Sequence, residues 1–271
     1  MDIAELSDRL ARLERQQEIA EAHLGAAFWR TLDELYAITL PDRVLRCIVC
    51  NREASWSGWQ KLVDHCMFGG GRLERYRCPN CECVFGPQKY LDLDDAFVAS
   101  DYRLLYSRYA ESDSTEKEIR TFKSLGSEAG QIYLNWGCGG SWSQTVERLR
   151  AEGHDVWGFE PSADAGSAFV ATRREDISAR FRGIFSNNVI EHFRDPVAQF
   201  ADFHSILTDD GTMAHSSPCY ELTYTNTRFH TLFLLGNSPH VLAERTGFAV
   251  VESDRDGEYC NIVFGKGSNP P

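Results

Sequence analysis

Two sets of residues in this chain have the types and spacing to do chemistry, and the first is a group of cysteines. Cys47-Ile-Val-Cys50 and Cys78-Pro-Asn-Cys81 are two C-x-x-C pairs separated by a 27-residue insert. Each pair can place two thiolates on one side of a tight turn, and together they make the tetrahedral S4 donor set that zinc takes in structural sites. Pro79 and Asn80 are turn formers inside the second pair. Cys83, two positions after Cys81, is an alternative fourth ligand, whereas His65 and Cys66 in the insert read as core or surface residues. Disulfides are the rival reading, and the absence of an export signal weighs against them. A redox C-x-x-C would need a thioredoxin-like strand and helix around it, which the flanks do not offer. A closed S4 site has no open position, so zinc here would shape the fold and not catalyse.

The second set lies between Ile132 and Pro161. An apolar strand (Ile132 to Trp136) is predicted to enter a tight turn (Gly137, Cys138, Gly139, Gly140), then a helix, then a strand (Val156 to Phe159) ending on Glu160. This is half of a nucleotide-binding α/β unit. The glycines let the backbone turn sharply and approach a ligand, and a carboxylate about twenty residues on can accept hydrogen bonds from ribose hydroxyls. A dinucleotide fold asks for G-x-G-x-x-G, but Trp142 and Ser143 stand near the third glycine's place. An ordinary glycine-rich βα turn is the plain alternative. The form N-x-G-C-G-G resembles motif I of the class I S-adenosylmethionine (SAM)-dependent methyltransferases, D/E-x-G-x-G-x, with Asn135 where that family often has an acid.

Downstream, Phe181 to Asn188 has the character of a buried parallel strand. It runs into Val189-Ile-Glu-His-Phe-Arg-Asp-Pro196, a helix to about Leu207, Asp209-Asp-Gly, and a strand from Thr212 to Ser216. The wording NNVIEHFRDP…L…DDG resembles motif IV and its sequel in the subgroup of ubiquinone-type O-methyltransferases and several sugar methyltransferases. A helix at Pro239 to Arg245 and strands at Gly247 to Val251 and Tyr259 to Phe264 complete a resemblance covering roughly residues 100 to 266. It implies an α/β fold: a doubly wound Rossmann-like methyltransferase sheet, preceded by a small zinc-ribbon-like module and an N-terminal helix. Too few residues separate Glu160 from Gly183 for a full third strand with two helices. The third strand is therefore predicted to be abbreviated, around Asp176 to Ser178.

On that resemblance the cofactor is SAM, held by Asn135, Gly137, Cys138, Gly139, Gly140, Glu160, Pro161, Asn187 and Asn188. Tyr106 and Tyr109, in the lead-in to the domain, would close over its methionine end. The sulfonium is already a strong electrophile, so the protein must position the acceptor and, for a hydroxyl, remove a proton. The candidate bases are His192, His215 and His230, with Glu191 beside the first; a capping or packing role is the alternative for His192. Ubiquinone-type enzymes bind a divalent ion through E-x-x-E-H, but Asn188 stands in place of the first acid, so a cation at Glu191/His192 is the disfavoured reading. The hydroxyl- and aromatic-rich stretch after the fifth strand offers Tyr220, Tyr224 and Arg228 as acceptor contacts. The acceptor implied is a small polar molecule, above all a sugar or glycan hydroxyl. C- or N-methylation of a sugar or metabolite, and a SAM-binding assembly subunit without catalysis, are the alternatives.

The chain has 271 residues with net charge −12 and pI near 5.1. That balance argues against nucleic acid as the substrate, because backbone binding needs clustered Lys and Arg. No apolar run approaches the ~18 residues that span a bilayer, and the charged N-terminus lacks a signal-peptide core, so a cytoplasmic protein is expected. Ile3, Leu6, Leu10, Leu13, Gln17, Ala20, Leu24 and Ala27 alternate steps of three and four, the narrow seam of a heptad helix. Its charged flanks favour pairing with a second copy over lying along the body. Phe28, Trp29 and Leu32 beyond it suggest docking onto the globular part. Three segments follow: a heptad helix (1–36), a zinc-knuckle module (43–90) and a methyltransferase domain (100–266).

Overall fold

The computed structural model describes residues 2–107, 109 and 112–267. Helix α1 spans Ile3–Thr39, its first turn capped by the Asp2 carboxylate accepting the Glu5 N–H at 2.7 Å. Five short strands follow: β1 Val44–Arg46, β2 Glu53–Ser55, β3 Gln60–His65, β4 Arg72–Arg77 and β5 Val84–Phe85. Three helices then lead in: α2 Gln88–Leu91, α3 Asp95–Tyr106 and α4 Thr115–Lys123. The remainder alternates: β6 Ile132–Trp136, α5 Gln144–Ala151, β7 Asp155–Phe159, β8 Val170–Ala171, β9 Phe181–Asn187, α6 Pro196–Ile206 and β10 Leu207–Ser216. It closes with β11 Leu232–Phe233, α7 Ser238–Arg245, β12 Phe248–Asp256 and β13 Tyr259–Lys266.

The main sheet has seven strands in the order β12-β13-β10-β9-β6-β7-β8. The strands from β10 to β8 run parallel, and β13 is antiparallel to both its neighbours. Alternation along each strand sends side chains to two covered faces. Tyr133, Val156, Phe185, Ala214 and Val263 meet Ile119 and Phe122 of α4 and Val146 and Leu149 of α5. Their chain neighbours Leu134, Ile184, Met213 and Phe264 meet Phe200 and Phe203 of α6 and Leu242 of α7. Local chemistry starts the helices: Ser143 caps α5, and Asp195 caps α6 ahead of Pro196 in its first turn.

The third strand is abbreviated to two residues, and its place differs from the sequence reading. It is Val170–Ala171, not Asp176 to Ser178. The chain folds back directly after β7, where Gly158 N–H donates to the Phe169 carbonyl and Glu160 N–H to Ala171. Residues 174–176 form a 3-10 turn in which Asp176 is taken by Arg173.

The cysteine segment is not set apart from this body. Cys47, Val49, Trp59 and Phe85 belong to the same apolar cluster as Leu134, Trp136 and Phe200. A second sheet has the order β11-β5-β4-β3, so a strand from beyond β10 completes the sheet of the cysteine segment. The distal half of α1 docks through Phe28, Trp29 and Leu32, which pack with Tyr90, Phe97 and Phe229. Its proximal half carries exposed Leu10 and Leu24. No helix among the described residues is long and apolar enough to cross a membrane.

Candidate active site and cysteine centre

Strand order reverses between β6 and β9, and open α/β sheets bind ligands at the carboxyl edge of such a switch point. Both segments expected to bind cofactor leave the sheet there. Gly137 follows β6 with φ +76° and donates its N–H to the Phe159 carbonyl at 2.8 Å. A Cβ on Gly137 would lie 2.6 Å from Val189 Cγ2, so glycine is required for the turn and for the packing. Gly139 (φ +84°) has open space where its Cβ would stand, as a ligand cradle needs. Cys138 is buried with its sulfur against Gly158 and 3.7 Å from the Gly140 carbonyl, to which it can donate.

Glu160, at the tip of β7 and 8% exposed, aims its carboxylate back at this loop. Oε2 accepts the Gly139 N–H at 2.9 Å, and Oε1 accepts the Ser162 hydroxyl at 2.6 Å. Each oxygen keeps acceptor capacity for a diol. On the β9 side, Asn188 is left-handed (φ +55°) and donates its N–H to the Ser216 carbonyl. Asn187 accepts from Ser216 Oγ at 2.9 Å, while its buried Nδ2 has no partner among the described residues. A buried donor left over at a ligand edge is a reason to expect a ligand.

Asn135 lies inside this edge. It is fully buried, and its Nδ2 donates to Glu118 Oε2 at 2.7 Å. Glu118 comes from α4 and also accepts the Ser114 hydroxyl at 2.5 Å. A carboxylate from another helix thus stands beside Asn135. An amide at Asn135 can donate to Glu118, whereas an aspartate would repel it.

Beside Asn187 and Asn188 opens a cavity of about 240 Å³ lined by Tyr109, Ser112, Asp113, Ser114, Lys117, Glu191, His192, Ser216, Ser217, Pro218, Tyr224, His230, Glu258 and Tyr259. Two imidazoles face it, 5.1 Å apart between ring centres. His192 Nδ1 lies 3.0 Å from the Phe229 carbonyl. A carbonyl can only accept, so Nδ1 carries a proton, and in the neutral ring the lone pair lies on Nε2. His230 Nδ1 stands in the same relation to the Tyr224 carbonyl at 3.1 Å. Burial first, then the nearby His192 and Arg75, hold the His230 ring well below its ordinary pKa. Glu191 is buried, and its carboxylate and the two rings offer ligand atoms within 4.8 Å of one another. The trio could move a proton or hold a cation.

Residues 106–253, over half of the chain, match the family described as "Methyltransferase domain". The chain belongs to the class I SAM-dependent methyltransferases. Similar solved structures include the TehB-like SAM-dependent methyltransferase of Corynebacterium glutamicum, at 17% identity over 67% of this chain and 100% of that one, with TM-score 0.39. Another is an S-adenosylmethionine-dependent methyltransferase of Clostridium acetobutylicum, at 10% identity over 64% and 98%, with TM-score 0.43. A third is mycolic acid cyclopropane synthase CmaA1 complexed with SAH and CTAB, at 22% identity over 51% and 62%, with TM-score 0.39. No protein with a curated description matches in sequence.

Of the residues expected to serve this methyltransferase, Asn187, Asn188, Glu191, His192, Tyr109, Tyr224 and His230 line the one cavity. Four others, His215, Tyr220, Arg228 and Tyr106, lie outside its lining. His215 is fully buried among Phe200, Phe203 and Phe264, with Nδ1 2.7 Å from Ser186 Oγ, and burial pushes its pKa down to about 3. Its position on β10 turns it into the α6 layer, away from the acceptor. Tyr220 is buried too, its hydroxyl donating to the His215 carbonyl. Arg228 makes a buried two-pronged ion pair with Asp101 at 2.7 Å and donates to the Phe68 carbonyl. It fastens α3 and cannot also reach an acceptor. Tyr106 is half-exposed, stacked on Tyr102, and outside the cavity lining. Sequence reasoning missed Glu118, Lys117, Ser217 and Glu258. An acid on the apolar face of α4 was the only signal for the first, and the turn between β12 and β13 gave none for the last.

The four cysteines of the two C-x-x-C pairs converge. Cys47 and Cys81 sulfurs lie 3.6 Å apart, Cys50 and Cys78 sulfurs 3.5 Å apart, and all four fall within 4.8 Å. A tetrahedron with Zn–S near 2.3 Å asks for about 3.8 Å between sulfurs, so the set fits. The two turns are built alike: Asn51 N–H returns to the Cys47 carbonyl and Glu82 N–H to Cys78, with Asn51 and Glu82 both left-handed. A hydrogen bond from Cys81, then one from Cys83, drives Cys47 far down, while Cys81 is driven up. Cys83 is fully buried beside them, and burial pushes its thiol up.

Proposed function

We propose that this methyltransferase moves the SAM methyl group to a hydroxyl of a sugar or glycan. The observation that carries this reading is the cavity beside Asn187 and Asn188, polar over most of its wall and lined by two imidazoles whose Nδ1 atoms each face a backbone carbonyl. At about 240 Å³ it is below the ~300–1,000 Å³ of drug-sized pockets, which suits one sugar unit and not a chain of them. Gly137–Gly140, Glu160 and Asn187 would hold SAM, whose sulfonium would supply an activated methyl and leave as the demethylated thioether. His192 Nε2 then accepts the hydroxyl proton as the oxygen attacks. The Phe229 carbonyl holds the ring in its tautomer, and the Glu191 carboxylate stabilises the imidazolium formed. Tyr224 and Tyr109 offer stacking surface. Asp113, Glu191 and Glu258 around the same cavity favour a protonated amine as the second reading, which gives N-methylation.

The test is transfer of labelled methyl from SAM to a panel of monosaccharides, nucleotide sugars and amino sugars, run beside His192→Ala. A His192→Ala variant that binds SAM normally and loses about 10²–10⁴ in turnover supports His192 as base. Turnover within threefold of the parent removes His192 from the mechanism. Cys47, Cys50, Cys78 and Cys81 are read as the ligands of one structural zinc. The exposed seam of α1 is read as pairing with a second copy. Glutamate at Leu10 and Leu24 should then halve the mass measured by light scattering, and an unchanged mass sinks the pairing.

A further inference from the structure

The 27 residues between the two cysteine pairs have no part in metal binding or in the cofactor edge, yet they include a fully buried cation. Arg75 on β4 is 2% exposed, and among the described residues no carboxylate pairs with it. Its guanidinium instead donates four hydrogen bonds to three backbone carbonyls of one segment. Nη1 reaches Thr225 at 2.6 Å, Nη2 reaches Thr227 at 2.6 Å and His230 at 3.0 Å, and Nε reaches His230 at 3.2 Å. Nearby parts of the insert grip the same segment. Thr225 donates its hydroxyl to Asp64 at 2.6 Å, and Met67 N–H donates to the Asn226 carbonyl at 2.8 Å. Burying a guanidinium is expensive unless its donors are used, and here they are spent on a loop over 150 residues away in sequence.

We propose that the insert is a cradle for the acceptor loop, with Arg75 as the positioning residue that sets the direction of the His230 ring. Arg75 fixes the His230 carbonyl and the Thr225 carbonyl next to Tyr224. The Tyr224 carbonyl faces the ring's Nδ1–H at 3.1 Å, with the Cys219 sulfur 3.4 Å from the same nitrogen. The backbone at both ends of the ring's contact is thus held by one guanidinium. Arg75 stands three residues before Cys78, on the strand that runs into the second cysteine turn. The same strand therefore leads from the cysteine centre to the wall of the acceptor cavity. This rests on the reading of that cavity as the acceptor site.

The test is Arg75→Met in the full-length, metal-loaded protein. Methionine keeps the apolar stem and leaves three carbonyls without a donor. Metal content and calorimetric SAM affinity should match the parent. Amide hydrogen exchange across 223–231 should rise at least tenfold, and long-range ¹H–¹⁵N spectra should show the neutral His230 ring changing from one tautomer to a mixture. Arg75→Lys, with three donors, should restore part of the protection. An Arg75→Met protein with parental exchange and tautomer overturns the proposal, as does one in which metal content falls in step with loop protection. If Arg75→Met does not fold, Asp64→Ala probes the second anchor. Faster exchange confined to 223–227 supports the cradle, and no change overturns it. None of these readouts uses an acceptor, so a failed acceptor screen and a failed cradle remain distinguishable.

Discussion

Glu160→Ala puts the cofactor assignment at risk most directly. The carboxylate is nearly buried, and both oxygens already hold the loop, from Gly139 N–H on one side and Ser162 on the other. If it also receives the ribose diol, alanine removes two hydrogen bonds to a charged acceptor. Each is worth about 1.5–3 kcal/mol, and water can replace part of that in the truncated site. A net loss of about 3 kcal/mol raises the SAM dissociation constant roughly 100-fold. Glu160→Gln keeps the shape and one acceptor, so a loss of about tenfold is expected. Gly139→Arg places a side chain on a left-handed residue and fills the open space above it, and binding should vanish. Calorimetric titration with SAM and with its demethylated product reads all three, with a zinc assay in parallel. Zinc content should stay near parental, since no described hydrogen bond joins residues 137–162 to the cysteine turns. Affinities within threefold of the parent in both Glu160→Ala and Gly139→Arg would falsify the assignment.

Three further outcomes are expected. Cys78→Ser should lose bound zinc in a metallochromic assay and lower Tm by about 5–10 °C, and a stable, zinc-loaded variant would exclude Cys78 as a ligand. His215 is held neutral in the fold, with its pKa lowered from 6.5 to about 3. The unfolded chain therefore binds a proton there that the fold does not, so stability present above pH 6.5 is lost as pH falls towards 3. Urea midpoints at pH 7 and pH 4 should differ by the equivalent of about 3 kcal/mol more in the parent than in His215→Gln, and equal differences would remove His215 as the cause. Asn135→Asp sets a second carboxylate against Glu118. Because protonation relieves that repulsion, the variant should lose more Tm at pH 8 than at pH 5, and a pH-independent loss would count against the contact.

The sequence by itself determined the parts of this protein that depend on local spacing. Glycines at fixed distance from Glu160 make a turn wherever the strand ends, and two C-x-x-C pairs make matching turns whatever lies between them. Apolar runs separated by helical stretches dictate a parallel sheet with two covered faces, and the short interval after Glu160 dictates an abbreviated third strand, whose place at Val170–Ala171 only the structure decided. Which side chains reach the cavity was decided by tertiary structure. Histidine is equally apt as base or as packing, and only the face of β10 on which it falls sends His215 into the phenylalanine layer while His192 and His230 line the cavity beside Asn187. Tyr220 and Arg228 read as acceptor contacts until Asp101 and the His215 carbonyl claim their polar atoms. Glu118 reaches Asn135 from a different helix, and Arg75 fixes a loop far along the chain. The strand of a zinc-ribbon-like segment and a histidine loop share no local pattern. They are joined because buried backbone carbonyls must find donors, and folding brings Arg75 to the place where those donors are lacking.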